Sequence, residues 1–187
     1  AIPASPYPSL REPTRTVTVN LTVLVGSRNE GYGEAGMAHL LEHMLFRGTP
    51  THDDIPRLLK ERGAEFNGTT WLDRTNYYET MPASEKNLEF ALALEADRMI
   101  NLTLTEEQVV AERKVVLEER SSRVDNSPTG LFFEQMNAAQ YLTYPYRIPV
   151  IGWESEIRRL SLEDALEWYR TYYTPNNAIL LVAGNGT

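Results

Sequence analysis

The chain has no cysteine among its 187 residues. Disulfides, thiolate metal ligands and a cysteine nucleophile are therefore excluded, while the compartment stays open. No apolar run approaches the ~18 residues that a membrane-spanning helix needs, so a bilayer is not expected as partner. Positive charge is in deficit: 18 Lys and Arg against 26 Asp and Glu leave a net charge of −8. Such a balance argues against nucleic acid or an anionic membrane surface and tilts weakly toward neutral or basic peptides. Internal repeats and low-complexity segments are also missing. What is present looks globular, with 42% apolar and 24% charged residues, near the norm for a folded domain long enough to bury a core.

Histidine is scarce as well, at three residues, and two of the three fall in one run, Gly36-Met-Ala-His39-Leu-Leu-Glu42-His43-Met-Leu-Phe46-Arg-Gly48. On a helix, positions i, i+3 and i+4 share a face, so His39, Glu42 and His43 project into one small volume. Zinc accepts neutral imidazole nitrogens, and a catalytic site keeps one position open for water. A nearby carboxylate that is not a ligand can then take a proton from that water. The order His-x-x-Glu-His is the inverted zincin motif. Two satisfied core histidines are the bland alternative, but an apolar helix gains nothing from three clustered ionisable groups. Leu40, Leu41, Met44, Leu45 and Phe46 are expected to pack this helix into the core, with Gly48 ending it. The third histidine, His52, reads as an exposed loop residue.

Two nitrogens and a water leave a zinc site one protein ligand short. The acidic stretch Thr105–Arg120 is the best supply, and Thr105 with Gln108 forms a capping box at its start. Glu112 and Glu119 are seven positions apart, close to two full turns, so they share a face; Glu118 is rotated by about 100° from Glu119 and points elsewhere. Spacing alone does not choose between Glu112 and Glu119. A solvated charged face is an equally weighted reading of this helix.

These segments, taken in order, resemble the M16 (pitrilysin-like) zinc metallopeptidases, a family that includes the mitochondrial processing peptidases and insulin-degrading enzyme. The resemblance is carried by the histidine motif through Gly48-Thr49, by Gly63-Ala-Glu-Phe-Asn67-Gly-Thr, by Glu112-Arg-x-x-Val-x-x-Glu119, by Tyr144-Pro-Tyr-x-x-Pro-Val-Ile-Gly152 and by Tyr173-x-Pro-Asn-Asn-Ala. It implies that Glu119, lying 119 − 43 = 76 residues after His43, is the third ligand of one Zn2+ per chain beside His39 and His43. It implies further that Glu42 is the general base and that Glu112 is a second catalytic acid near the metal. Phe66, Asn67, Gly68 and Thr69 would form an edge strand on which substrate backbone pairs, with Gly68 leaving room for the peptide; read from the residues alone, an ordinary hairpin with a glycine bulge is favoured. Trp71, Tyr77 and Tyr78 line a pocket or fill core, and core is favoured for each. The implied fold is α+β, a mostly antiparallel sheet with helices packed on one side, shared with the LuxS lyases; those carry the same inverted motif but require a cysteine.

Residues 1–15 read as an extended proline-rich arm and 16–187 as the zinc-bearing half-domain. Thr16–Val25 alternates strictly, with Val17, Val19, Leu21, Val23 and Val25 on one face, and Gly26 to Gly36 is a loop. The remaining pattern is a helix over Asp53–Arg62 ending at Gly63, strands at Ala64–Thr70 and Arg74–Met81, and a helix over Ser84–Ile100 packing Leu88, Ala91, Leu92, Glu95 and Met99. After Thr105–Arg120 come helices near Thr129–Tyr141 and from Ser161, capped with Asp164, to Tyr172, then a strand at Ala178–Ala183. Strands grouped with segregated helices indicate α+β. The start Ala1-Ile-Pro-Ala, without methionine, fits a removed export signal, hence periplasm or secretion, or a fragment boundary, which leaves the cytoplasm open. The resemblance implies a second, similarly folded half that supplies a substrate clamp, which these residues lack. The expected partners are thus a peptide substrate and either a second copy of the chain or a second M16-like half. The competing reading is a metal-binding half that is inactive alone and serves as an assembly module until joined.

Overall fold

A computed structural model describes residues 15–184 of the chain; most of the proline-rich arm, residues 1–14, and the last three residues lie outside the described range. Four strands, β1 (Thr16–Val23), β2 (Glu65–Thr70), β3 (Thr75–Pro82) and β4 (Ala178–Gly184), form one sheet in the order β2-β3-β1-β4. Every pairing is antiparallel, with Leu21 opposite both Tyr77 of β3 and Leu180 of β4. β2 and β4 are the edges. The helices are α1 (Met37–Met44), α2 (Ile55–Glu61), α3 (Glu85–Ile100), α4 (Glu106–Arg120), α5 (Pro128–Gln140), α6 (Glu154–Ile157) and α7 (Leu162–Tyr172). The fold is α+β, as expected. No helix among the described residues is long and apolar enough to cross a membrane.

Local chemistry explains most of the boundaries. The alternation of β1 buries Val17, Val19, Leu21, Val23 and, just past the strand, Val25. The capping boxes of Thr105 with Gln108 and Ser161 with Asp164 both form. α1 stops at Met44, earlier than expected: Gly48 (φ +127°) serves the following turn, where a Cβ would lie 2.7 Å from the His52 carbonyl oxygen. Leu40, Leu41, Met44 and Leu45 are buried as expected, while Phe46 is partly so. In α3 the buried set is Ala91, Leu94, Glu95, Arg98 and Met99, with Leu88 and Leu92 only half-buried. The four-residue α6 escaped the reading, being too short to show a period. His52 is not an exposed loop residue: its Nδ1 lies 2.6 Å from Asp97 Oδ2, which also binds Thr49 and Thr51, so the loop after α1 is fastened to α3.

The core comes in two clusters. One joins α1 to α4, α7 and the end of β1; the other packs Val17, Val19 and Met81 of the sheet against α2 and α3. Phe46 touches both, with its ring centroid 5.9 Å from those of Phe66 and Tyr77. At its other end α1 is capped by Glu30, whose carboxylate accepts Gly36 N–H at 3.0 Å and Ala38 N–H at 2.9 Å. The two carboxylate oxygens thus satisfy N–H groups that the first turn of a helix leaves free. Burial pushes Glu30 well above its ordinary pKa, and those two backbone hydrogen bonds oppose the rise.

Beneath Phe46 lies a buried ionisable trio. Arg98 is ion-paired with Glu95, its centre 4.5 Å from the Tyr77 ring, and 3.9 Å from Glu79, whose two oxygens have no hydrogen-bond partner. Burial, and next the charge of Glu95, push Glu79 far above the usual carboxylate range. The folded state therefore holds a proton that the unfolded chain releases, and stability must fall as pH rises above the ordinary value of 4.5. Glu79→Gln should match the parent's stability near that pH and exceed it increasingly toward alkaline pH. Urea unfolding at about pH 5 and about pH 8 checks this, and parallel pH dependences for the two proteins would contradict it.

Candidate metal centre

α1 carries His39, Glu42 and His43 on one face, as their spacing demands. The Nε2 atoms of His39 and His43 are 3.3 Å apart, their rings edge to face. α4 crosses α1 and brings Glu119 Oε2 to 3.6 Å from His39 Nε2 and 3.5 Å from His43 Nε2. Among the described residues these three alone form a cluster close enough to hold an ion. A tetrahedral ion with bonds of about 2.1 Å keeps its ligands roughly 3.4 Å apart, so the observed triangle fits zinc, as does its donor set of two imidazoles and a carboxylate.

Glu112 is placed differently. Its Oε1 lies 2.8 Å from His43 Nδ1, and its Oε2 receives Arg47. Where spacing left both open, the geometry separates them: Glu119 faces the Nε2 pair, and Glu112 stands behind the His43 ring. Glu112, expected among the catalytic residues, meets the Nε2 side through His43 and lines a smaller cavity beside Glu42 and Asn67. A proton on Nδ1, held by Glu112, leaves Nε2 with a free lone pair for a metal. Burial lowers the pKa of His43, but the hydrogen bond and charge of Glu112 outweigh it and the net shift is upward. Burial holds His39 neutral, down at about 3. The His43 hydrogen bond draws Glu112 below its ordinary value.

Glu42 points into the same space. Its Oε2 accepts the Thr70 hydroxyl at 2.5 Å; burial raises its pKa and that bond opposes the rise. A carboxylate kept from being too acidic is suited to proton transfer. Gly68 stands close to Glu42: a Cβ there would lie 2.9 Å from Cγ and 3.0 Å from Oε1. The glycine makes room for the carboxylate and also lines the cavity. Phe66 lies on the edge strand, with its ring packed on Phe46 and not on the cavity wall.

That wall encloses about 560 Å³ between edge strand β2 and the end of α4, lined by His39, Glu42, His43, Asn67–Trp71, Glu119, Arg123, Val124, Val150 and Ile151. Asn67 and Thr69 point outward along β2, and Asn67 Oδ1 accepts the N–H of Gly68 at 2.9 Å. Trp71, 60% exposed, lines the cavity against expectation, whereas Tyr77 is core and Tyr78 half-buried. Thr70, Arg47 and Arg123 were not foreseen. Each had a signal: Thr70 is two along the strand from Gly68, and the arginines are each four along from His43 and Glu119.

The profile described as Insulinase (Peptidase family M16) matches residues 9–153. The chain belongs to peptidase family M16. The zinc protease PqqE of Helicobacter pylori is 36% identical over 178 residues, covering 94% of this M16 chain and 40% of that protein. An uncharacterized zinc protease of Rickettsia bellii is 34% identical over 91% of the chain and 41% of its own length. The crystal structure of a protease from Helicobacter pylori superimposes with a TM-score of 0.88 at 37% identity, covering 95% of this chain and 43% of that one. The chain thus spans about two fifths of the length of these relatives.

Gly68→Ala should drive Glu42 from its seat; if the cavity catalyses peptide cleavage, turnover should fall by about 10²-fold, the cost of a misplacement near 1 Å, while any zinc held by the three donors stays unchanged. Metal analysis beside a peptide cleavage assay checks this; loss of zinc, or full turnover, would contradict it.

Proposed function

We propose that the chain is the zinc-bearing part of a metalloendopeptidase that hydrolyses oligopeptides or unfolded segments. The observation that carries this reading is the convergence of the His39, His43 and Glu119 donor atoms within 4.8 Å of one another, beside a buried Glu42 carboxylate that opens on the same cavity. One zinc per chain would be held by those three side chains. When bound, it supplies Lewis acidity to a peptide carbonyl and to a water. Glu42 takes the proton of the attacking water and delivers it to the leaving amine. Thr70 keeps the Glu42 carboxylate turned to the cavity, and Glu112 with Arg47 fixes the ring of His43. Substrate main chain adds along β2 at Phe66, Asn67, Gly68 and Thr69, a mode that gives affinity with little sequence demand.

The test combines metal analysis with cleavage of an unstructured peptide. Zinc at one per chain, activity lost to a chelator and restored by zinc are expected. Glu42→Gln should keep zinc while turnover falls by about 10²–10⁴-fold. Absence of zinc under metal-replete conditions would sink the assignment, and full turnover in the variant would remove Glu42 from the role of base.

A second reading, a metal-binding part that needs a companion to act, is favoured by β4. Its Ile179, Leu180, Leu181 and Val182 are each about half exposed, an apolar run unusual on a finished surface. The companion would be a second M16-like half or another copy of the chain. Turnover that appears only when the remaining part of such a protein is added would support it; equal turnover by the chain alone would remove it.

A further inference from the structure

The two oxygens of Glu119 have different partners. Oε2 faces His39 and His43, at 3.6 and 3.5 Å, whereas Oε1 receives Nη1 of Arg123 at 2.8 Å. Arg123 also lines the cavity, with its side chain 72% exposed. An exposed Arg–Glu pair contributes little to stability, so the care with which this one is held calls for another explanation. Its backbone belongs to Ser121–Asp125, a turn of π-helix continuing α4, a rare conformation that concentrates at functional sites.

That turn is clamped from two sides. α5 packs so closely that a Cβ on Gly130 would lie 2.3 Å from the Arg123 carbonyl oxygen and 2.9 Å from Val124 Cα. Arg120, immediately before the turn, donates to Glu134 Oε2 at 2.7 Å and to the Gly152 carbonyl at 2.8 Å. The guanidinium is thus delivered to Glu119 from a fixed platform.

We propose that Arg123 is a positioning residue for the metal centre, occupying Glu119 Oε1 so that Oε2 alone meets the ion. A carboxylate can offer zinc one oxygen or two, and a second oxygen would compete for the position that a catalytic site leaves open for water. Partners that orient a ligand commonly change metal affinity by about 10–100-fold. The planar guanidinium holds a carboxylate oxygen in a set direction, while a lysine supplies charge with less direction. This inference rests on reading His39, His43 and Glu119 as the zinc ligands.

The experiment measures zinc affinity by competition with a chromophoric chelator, and visible absorption of the cobalt-substituted protein, whose band intensity reports coordination number. The full chain is compared with Arg123→Ala, Arg123→Lys and Glu119→Ala. Arg123→Ala should weaken zinc by about 10–100-fold and change the cobalt spectrum, with the melting temperature of the metal-free protein unmoved. Arg123→Lys should recover part of the affinity. Unchanged affinity and spectrum in Arg123→Ala, against a clear loss in Glu119→Ala, would overturn the role of Arg123 while leaving the ligand set standing. No loss in Glu119→Ala would overturn the ligand set itself, and this proposal with it.

Discussion

The crossing of α1 and α4 is the contact on which the candidate metal centre depends, because it brings Glu119 to His39 and His43, donors remote in sequence. Aliphatic burial holds it: Leu40, Leu41 and Met44 share one cluster with Val109 and Val116, and each such side chain contributes about 1.5–3 kcal/mol when fully buried. Closing a long loop costs little more than closing a moderate one, since the entropy grows only logarithmically with length. Glu112 lies inside the crossing, 6% exposed. A buried carboxylate without partners would work against the packing, and here it accepts from both His43 and Arg47. The interaction that makes the helix pair tolerable is the one that orients a histidine.

Three glutamates around the same space have become three different groups through their surroundings. Glu42, walled by Gly68 and bonded to one hydroxyl, is held up in pKa by burial. Glu112 is drawn down, chiefly by its bond to His43. Glu119 is divided between an arginine and the Nε2 pair. Identical side chains acquire separate chemistry from neighbours supplied by β2, by the end of α1 and by the turn after α4.

Much of this was legible in the residues. The period of β1, the two capping boxes and the shared face of His39, Glu42 and His43 are local properties, and local rules describe them. The choice between Glu112 and Glu119 was not legible from spacing, because both lie on the face of α4 turned to α1; which imidazole nitrogen each meets depends on the crossing. The contact of Gly68 with Glu42 was not legible either, being a tertiary fact. His52 and Trp71 exchanged expected environments for the same reason: Asp97 of α3 recruits the first, and the cavity beside β2 leaves the second uncovered. The π-turn at Ser121–Asp125 breaks the helical period where it matters most, and no periodic pattern announces such a break.

The contact between Gly68 and Glu42 means that the carboxylate leans on a sheet edge as well as on its own helix. An edge strand is the most compliant part of a sheet, since it has a neighbour on one side only. A chain that paired with β2 would therefore remove motion from the seat of the carboxylate. Occupancy of that edge and rigidity of the carboxylate would then be mechanically one event, with the coupling running through main chain, indifferent to the side chains of whatever is bound.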